Sequence, residues 1–245
     1  MLLQLNKVSK HYKLGDNIIK ALDNVSVKID EGEFVAVMGP SGSGKSTFLQ
    51  VASMLAHPSE GKIYLKNKNV TTYNEIERAR LRNKEIGFIF QQFNLLARTS
   101  ALNNVALPLV YAGVSNGEQR RIATQILEKV SLGDRLHNTP AQLSGGQQQR
   151  VAVARALVNQ PSVIFADEPT GNLDSKSGED IKKLLIDLNK EGKTIIMVTH
   201  ESEDAAIAKR LVLLRDGVKT SDCPIKCLKD VEKELKKQKN IKPKK

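Results

Sequence analysis

Four short apolar runs along the chain predict the buried strands of a sheet. Each run has four or five residues, and the first is bounded by glycines. That length suits a strand that is buried on both faces. Stretches with helical character separate the runs, and buried strands that alternate with helices are typical of a mostly parallel α/β sheet. The runs cover residues 34–38, 86–90, 163–166 and 194–198.

A region with a different period lies between the second and third runs. Apolar residues recur there at helical spacing, from 118 to 130 and again from 147 to 158. These positions are Ile122, Ile126, Leu127, Val130, Val151, Ala154, Leu157 and Val158. We therefore expect residues 95–159 to form a mainly helical insertion in the α/β core.

Two further segments have β character. Short β-type runs such as residues 25–29 lie in the first part of the chain, and an apolar run at 211–214 precedes Asp216-Gly217. Asp-Gly after an apolar run favours a β-hairpin with a type I′ turn.

The composition is that of an ordinary globular protein. Of the 245 residues, 40% are apolar and 27% are charged, which excludes a disordered or collagen-like chain. No apolar run approaches the ~18 residues of a membrane-spanning helix. Residues 1–7 lack the pattern of a signal peptide. We expect a soluble, cytosolic protein.

The formal charge of +11 is concentrated near the C-terminus, where ten lysines and four acidic residues lie between Lys219 and Lys245. A solvated, partly helical extension is the simplest interpretation. Attraction to anionic lipid or to nucleic acid is the alternative, and the scarcity of aromatic residues disfavours nucleic acid. Cys223 and Cys227 are too few for a disulfide framework or a zinc site, so we predict plain thiols.

A glycine-rich loop follows the first apolar run and fits the pattern G-x-x-x-x-G-K-[ST]. Its glycines let successive backbone N–H groups point at phosphate oxygens, and the helix expected after it adds positive partial charge. Lys45 can reach the terminal phosphates, and the Ser46 hydroxyl can bind Mg²⁺. A flexible glycine turn is the alternative. The predicted phosphate-binding residues are Gly39, Pro40, Ser41, Gly42, Ser43, Gly44, Lys45, Ser46 and Thr47.

Two apolar runs end in residues suited to catalysis. Asp167 ends the third run and can deliver a carboxylate to Mg²⁺, and Glu168 after it can act as general base on a water. His200 follows the fourth run and should emerge at the same edge of the sheet, where we expect it to contact the γ-phosphate. The alternatives are a surface turn for Glu168 and a structural role for the histidine.

A second predicted anion site lies at residues 143–147. Ser144 is a suitable N-cap for the helix that follows, and no acidic residue lies in its first turn. A capped helix without a ligand is the alternative. The residues of this site are Ser144, Gly145, Gly146 and Gln147.

Together these motifs resemble the ATP-binding cassette (ABC) ATPases, over residues 1–222. Residues 39–46 match the Walker A loop of that family, 163–167 its Walker B strand and 143–147 its signature. Three single residues extend the resemblance. Tyr12 matches the aromatic residue that stacks on adenine, Gln91 the Q-loop glutamine that binds Mg²⁺ and water, and His200 the switch histidine.

The D-loop of the family is matched by residues 171–174, which end in Asp174. Many members have Ser-Ala at its first two positions, where this chain has Gly171 and Asn172. The residues around Gln91 and the D-loop look most like the subgroup of macrolide exporters, lipoprotein-release systems and a cell-division complex.

The resemblance implies a P-loop NTPase (RecA-like) α/β core with an N-terminal antiparallel β subdomain and an inserted α-helical subdomain. The single ABC ATPase domain would span 1–222, with the core and β subdomain at 1–94 and 160–222, the helical subdomain at 95–159 and a basic tail at 223–245. ATP and Mg²⁺ are the implied cofactors, with Ser46, Gln91 and Asp167 as metal ligands and Glu168, His200 and Gln91 as catalytic residues.

The resemblance also implies partners. Two copies would pack head to tail, so that Ser144, Gly146 and Gln147 act on the ATP of the other copy. Hydrolysis would power a separate integral membrane permease, at the cytoplasmic face of the membrane. Residues 93–96 resemble the region where a permease helix docks, with ordinary core packing as the alternative. Cassette ATPases of DNA maintenance or translation are a competing class, although nucleic acid is an unexpected partner.

Overall fold

A six-stranded sheet forms the centre of the computed structural model, which describes residues 1–15 and 17–229. Its strand order is β10-β9-β3-β8-β7-β6, and only the pairing of β9 with β10 is antiparallel. The predicted mostly parallel α/β sheet is confirmed. The strands are β3 (Phe34–Met38), β6 (Ile86–Ile89), β7 (Val163–Asp167), β8 (Thr194–Val198), β9 (Arg210–Arg215) and β10 (Val218–Pro224).

A second sheet is antiparallel and comes from the N-terminal part of the chain, as expected. Its strand order is β2-β1-β4-β5. The strands are β1 (Leu3–Leu14), β2 (Asn17–Ile29), β4 (Glu60–Leu65) and β5 (Lys68–Asn69).

Seven helices accompany the two sheets in the described part of the chain. Three of them, α3, α4 and α5, pack on one another around their own apolar core and form the predicted helical subdomain. The helices are α1 (Lys45–Ala52), α2 (Glu75–Glu85), α3 (Ala101–Tyr111), α4 (Asn116–Lys129), α5 (Gly145–Leu157), α6 (Ser175–Lys190) and α7 (Ser202–Ala205), with 3₁₀ turns at Pro140–Gln142 and Ile225–Cys227.

Strand β3 shows why the central sheet is buried on both faces. All five of its side chains are buried, and successive side chains point to opposite faces. Val35 and Val37 join the core shared with the antiparallel sheet and α1. Phe34, Ala36 and Met38 join the core beneath α6. The sheet therefore places the carboxyl ends of β3, β7 and β8 at one edge between two cores.

The predicted hairpin after β9 is confirmed. Asp216 and Gly217 form its two-residue turn, with φ of 47° and 77°. A type I′ turn requires positive φ at both positions, which Asp and Gly tolerate better than other residues. The register pairs Val218 with Arg215 directly across this turn.

The prediction of plain thiols is wrong, because a disulfide joins Cys223 to Cys227. The turn after β10 brings their Cα atoms to 6.5 Å, within the range that a disulfide spans. The predicted boundary at residue 222 falls inside β10, and Leu228 is buried against the core beneath α6. From residue 230 onward, the predicted basic tail at 223–245 lies outside the described residues. Within the described ranges, no helix is long and apolar enough to cross a bilayer.

Candidate functional site

The phosphate-binding loop connects β3 to α1, which is the strand–loop–helix context that its sequence predicts. Gly44 precedes α1 with a φ of 96°, in the left-handed region that favours glycine. A side chain there would also overlap the carbonyl oxygen of Ala21. Close packing against the N-terminal hairpin therefore requires glycine at this position.

Lys45 lies at the start of α1 and is folded back onto its own loop. Its ammonium donates hydrogen bonds to the carbonyl oxygens of Gly39 at 2.8 Å and Pro40 at 2.9 Å. Burial lowers the pKa of Lys45, and the charges of Glu168 and Asp167 oppose that change. The buried hydroxyl of Ser43 has no hydrogen-bond partner among the described residues. Donors thus converge where anionic oxygens would bind.

A cavity of about 630 Å³ opens above this loop. It brings together the phosphate loop, Glu168 and His200, as the sequence predicted. It also includes part of β2 and the β9–β10 turn, which were not predicted to line it. The lining residues are Ile19, Lys20, Ala21, Ser41, Gly42, Gly44, Lys45, Ser46, Thr47, Glu168, Val198, His200 and Asp216.

Glu168 and His200 form the polar pair of the cavity. They follow the neighbouring parallel strands β7 and β8, so the strand ends place them side by side. The His200 Nδ1 atom lies 2.7 Å from a carboxylate oxygen of Glu168. The backbone N–H of Glu168 donates to the carbonyl oxygen of Val198 at 2.9 Å, which fixes its turn to β8. The geometry suits a carboxylate that accepts a proton and a histidine that holds it in place.

Asp167 ends β7, next to Glu168. Burial raises the pKa of its carboxyl group, the charge of Glu168 adds to that effect, and Lys45 opposes it. No group of three or more His, Cys, Asp or Glu side chains that could hold a metal is found among residues 1–15 and 17–229. The oxygen donors of Asp167 and Ser46 nevertheless fit Mg²⁺, which is commonly bound by one or two carboxylates together with substrate phosphates.

Tyr12 lies beside the cavity without lining it. In the β1–β2 pairing it faces Ile19, which does line the cavity. The Lys10 ammonium lies 5.2 Å from the centre of the Tyr12 ring, and 40% of the residue is exposed. The ring is therefore accessible near the cavity mouth.

Gln91 follows β6 and contacts the D-loop. A Cβ on Gly171 would lie 2.7 Å from the Gln91 amide nitrogen, so glycine leaves room for this side chain. Asn172 donates from its side chain to the carbonyl oxygen of Gln91 at 3.0 Å. The Gly-Asn pair that departs from the common family pattern thus contacts Gln91 in this chain.

Asp174 caps α6 by accepting the backbone N–H of Ser177 at 3.0 Å. Hydrogen bonds from Ser177 hold the pKa of the Asp174 carboxyl below its usual range. Neither Gln91 nor Asp174 lines the phosphate cavity.

Ser144 caps α5, as predicted. Its hydroxyl accepts the Gln147 N–H at 3.3 Å, and the Gln147 side chain accepts the Ser144 N–H at 2.9 Å, which completes a capping box. Gly146 packs against Ser177 of α6. Residues 144–147 do not line the phosphate cavity, so the residues of the two predicted anion sites lie at separate places.

Comparison with known proteins identifies the family. The profile of the family described as ABC transporter matches residues 22–171, which is more than half of the chain. The chain belongs to the ABC transporter family. It is an ATP-binding and ATP-hydrolysing cassette.

Several relatives refine this placement. The macrolide export ATP-binding/permease protein MacB of Chlorobium phaeobacteroides is 51% identical over 221 residues, which are 90% of this chain and 34% of that protein. The chain therefore spans about a third of the length of these relatives. An uncharacterized ABC transporter ATP-binding protein of Thermotoga maritima is 50% identical over 215 residues, or 88% of this chain and 92% of that protein. The MacB relative matches the predicted macrolide-exporter subgroup.

The solved structures agree with the fold. The cassette MJ0796 of Methanocaldococcus jannaschii, described as a dimer in a post-hydrolysis state bound to ADP and Pi, has a TM-score of 0.84 and 46% identity. The match covers 91% of this chain and 99% of that one. The ABC cassette of this chain therefore has the architecture of a known dimeric cassette.

Sequence reasoning missed two polar side chains of this ABC cassette that hydrogen-bond to the turn at residues 168–171. They are Gln149, which donates to the Pro169 carbonyl oxygen, and Asp204, which accepts from the Thr170 hydroxyl. Burial is the signal that distinguishes them, because Gln149 and Asp204 are polar yet almost fully buried. A helical pattern alone counts such positions as surface.

Proposed function

We propose that two copies of this chain pack head to tail around two Mg²⁺·ATP and that hydrolysis powers a separate permease. One observation carries the proposal. The phosphate loop with Glu168 and His200 forms one incomplete site, and the capped N-terminus of α5 forms another that does not share its cavity. A second copy, facing the first, would bring the two together, and the dimeric description of MJ0796 supports that arrangement.

The phosphate loop would hold the triphosphate of one copy. Backbone N–H groups of residues 39–47 and the N-terminus of α1 would bind its oxygens, and Lys45 would exchange its bonds to Gly39 and Pro40 for the terminal phosphates. Tyr12 would stack on the adenine ring. Bound Mg²⁺ would neutralise phosphate charge, held by Ser46, Asp167 and Gln91.

Glu168 would accept the proton of the attacking water, with His200 keeping its carboxylate in place. Ser144, Gly145, Gly146 and Gln147 would bind the γ-phosphate of the partner copy, and Asp174 would lie at the same interface. Because each copy then contacts the γ-phosphate from one side, its loss on hydrolysis removes contacts that favour the closed dimer.

A groove beside α2 and α3 supports the permease as partner. It has a volume of about 990 Å³, and Ile76 and Tyr111, which line it, are 65% and 75% exposed. Within the predicted docking segment, Leu95 packs on the helical core, while Leu96 is 48% exposed. A groove with exposed apolar side chains at Ile76 and Tyr111 suits an amphipathic helix of a permease, which would hold the cassette at the cytoplasmic face of the membrane.

The Glu168→Gln variant tests the dimer. We expect it to bind ATP, to lose most hydrolysis because an amide cannot accept the water's proton, and to elute as a dimer in ATP and Mg²⁺. Lys45→Ala is the control, since it removes a charge from the phosphates and should stay monomeric under the same conditions. A Glu168→Gln chain that stays monomeric in saturating ATP would contradict the proposal.

The groove has its own test. We expect an integral membrane protein to co-purify with the wild-type chain in mild detergent. Tyr111→Asp should abolish that association and leave the ATPase activity of the isolated cassette unchanged, since Tyr111 lies outside the nucleotide cavity. Co-purification with ribosomes or DNA instead would support the competing class.

A further inference from the structure

The turn at residues 168–171, which carries Glu168, has a strained backbone conformation that other contacts must stabilise. Glu168 has a φ of 44°, in the left-handed region that costs a side-chain-bearing residue about 1 kcal/mol or more. Such conformations persist where the surrounding structure determines them. The turn itself supplies one hydrogen bond, from the Gly171 N–H to the Glu168 carbonyl oxygen at 3.1 Å.

Gln149 of α5 holds the turn at the next residue. Its amide nitrogen donates to the Pro169 carbonyl oxygen at 2.6 Å and approaches the Phe90 carbonyl oxygen at 3.4 Å. The residue is fully buried, and its side-chain oxygen has no partner among the described residues. A buried amide that leaves its own oxygen unsatisfied costs stability, so its donor bonds are the feature that makes a glutamine useful here.

Asp204 of α7 holds the turn one residue further on. The Thr170 hydroxyl donates to one of its carboxylate oxygens, and the Lys182 ammonium of α6 lies 3.5 Å from the other. Asp204 is 5% exposed, so the lysine compensates a buried charge. Because α7 follows His200 closely, the same carboxylate also ties the turn to the segment that carries the histidine.

We propose that Gln149 and Asp204 are positioning residues for Glu168. They form hydrogen bonds with Pro169 and Thr170 from two different helices. These bonds hold Glu168 in its left-handed conformation, with its carboxylate beside His200. This inference rests on the proposed role of Glu168 as the base. Without these hydrogen bonds, the turn relaxes to a right-handed or extended backbone, and the Glu168 carboxylate moves away from the position of the attacking water.

Two substitutions remove these hydrogen bonds with little change in the shape of the side chain. Gln149→Met keeps the length of the side chain and removes its donors, and Thr170→Val removes the hydroxyl that Asp204 accepts. We expect each to lower the kcat of ATP hydrolysis roughly tenfold to a hundredfold, the cost of a displaced catalytic group. The KM for ATP should change little, because neither side chain lines the nucleotide cavity. Thr170→Ser keeps the hydroxyl and should retain wild-type kcat.

Asn189→Leu is the matched structural control. Asn189 is likewise a buried amide that donates to two backbone carbonyl oxygens, those of Gly32 and Lys193, each at 2.9 Å. It lies at the amino ends of β3 and β8, the edge of the sheet away from the site. Its loss should lower the Tm as Gln149→Met does, yet leave kcat per folded protein unchanged.

The outcomes separate this inference from the proposed function. If Glu168→Gln is inactive while Gln149→Met and Thr170→Val keep wild-type kcat, positioning by Gln149 and Asp204 is refuted and the base remains. A decrease of kcat in Asn189→Leu as large as in Gln149→Met would also refute it, since lost stability would then explain both. If Glu168→Gln hydrolyses ATP normally, the proposed base fails, and this inference fails with it.

Discussion

At the scale of single residues, Asp167 and Lys45 carry charges that the folded chain does not favour. Burial raises the pKa of Asp167 and lowers that of Lys45, so each group is harder to ionise in the native state than in water. The opposite charge of each group partly offsets the effect of burial on the pKa of the other. The burial of these two charges therefore lowers the stability of the nucleotide-free protein.

Asp167→Asn should consequently stabilise the nucleotide-free protein at neutral pH. A carboxyl whose pKa is raised on folding favours the native state below its unfolded pKa of about 3.9, and that advantage is lost as the pH rises through the folded pKa. Removing the charge should thus raise the Tm at pH 7, by an amount that shrinks towards pH 4. Thermal unfolding in EDTA across this range measures the effect.

Asp174→Asn is the control with the opposite sign. The pKa of Asp174 is lowered, so its charge supports the fold above its unfolded pKa and that support is lost at acid pH. Asparagine still caps a helix, so only the charge is removed. Its Tm at pH 7 should fall below that of the wild-type chain. Equal and pH-independent effects of the two substitutions would contradict the pKa assignments.

The motifs predicted the residues of the cavity better than their contacts. Lys45, Glu168 and His200 were recognisable because each follows a buried strand at a fixed spacing. The left-handed backbone of Glu168 could not be recognised from the sequence, nor could the hydrogen bonds of Gln149 and Asp204 to its turn. Both depend on side chains from helices that are distant along the chain. The pairing of Cys223 with Cys227 was also missed, since it depends on a turn that a count of cysteines does not reveal.

At the scale of elements, the signature helix α5 and the D-loop helix α6 meet at their N-termini. Ser144 caps the first and Asp174 the second. A Cβ on Gly146 would lie 2.6 Å from the Ser177 hydroxyl oxygen and 2.8 Å from its Cβ, both too close. Gly146 is therefore explained within one chain by helix packing, in addition to any role at a partner's phosphate.

Gly146→Ala should accordingly destabilise the nucleotide-free protein by about 1–3 kcal/mol, the usual cost of overpacking. Ser177→Gly removes the atoms that the new methyl group meets, so the double variant should lose less stability than the two single losses together. Denaturant unfolding of the four proteins measures this coupling.

Gly145→Ala provides the matched control, because a methyl group added there would lie 3.6 Å from its nearest neighbour, Leu173, which is an ordinary contact. Its stability should be close to that of the wild-type chain. Additive losses for Gly146 and Ser177 would show that these residues do not crowd each other.

The buried central strands were predicted well, and several helices were not. The apolar strands and the amphipathic α4 match their expected positions closely. Helix α2 was missed because it buries only Arg78 and Glu85, so no apolar stripe marks it. Its signal is instead the capping box of Asn74 and Glu77, where a helix begins without any hydrophobic period.

At the scale of the whole molecule, the two predicted anion sites of the chain lie apart. In a symmetric head-to-tail dimer, each copy would give its phosphate cavity to one site and its α5 N-terminus to the other. Each ATP would then depend on Glu168 from one copy and Ser144 from its partner. Substitutions of these two residues in different chains could then complement each other in a mixed dimer. A monomer that hydrolyses ATP unaided would not allow this.

Mixing two inactive variants tests that division. Ser144→Arg chains should be inactive alone, because arginine fills both composite sites, and Glu168→Gln chains should be inactive because both lack the base. In a mixed dimer, one site combines Glu168 of the first chain with Ser144 of the second, and is intact. An equal mixture should therefore regain up to about a quarter of wild-type ATPase activity, since half of the dimers are mixed and each has one working site.

The regained activity should fall with the square of the protein concentration when the mixture is diluted below the dissociation constant of the dimer. If Ser144→Arg chains hydrolyse ATP alone, or if mixing restores nothing although mixed dimers form, each copy acts on its own nucleotide and the head-to-tail arrangement is wrong.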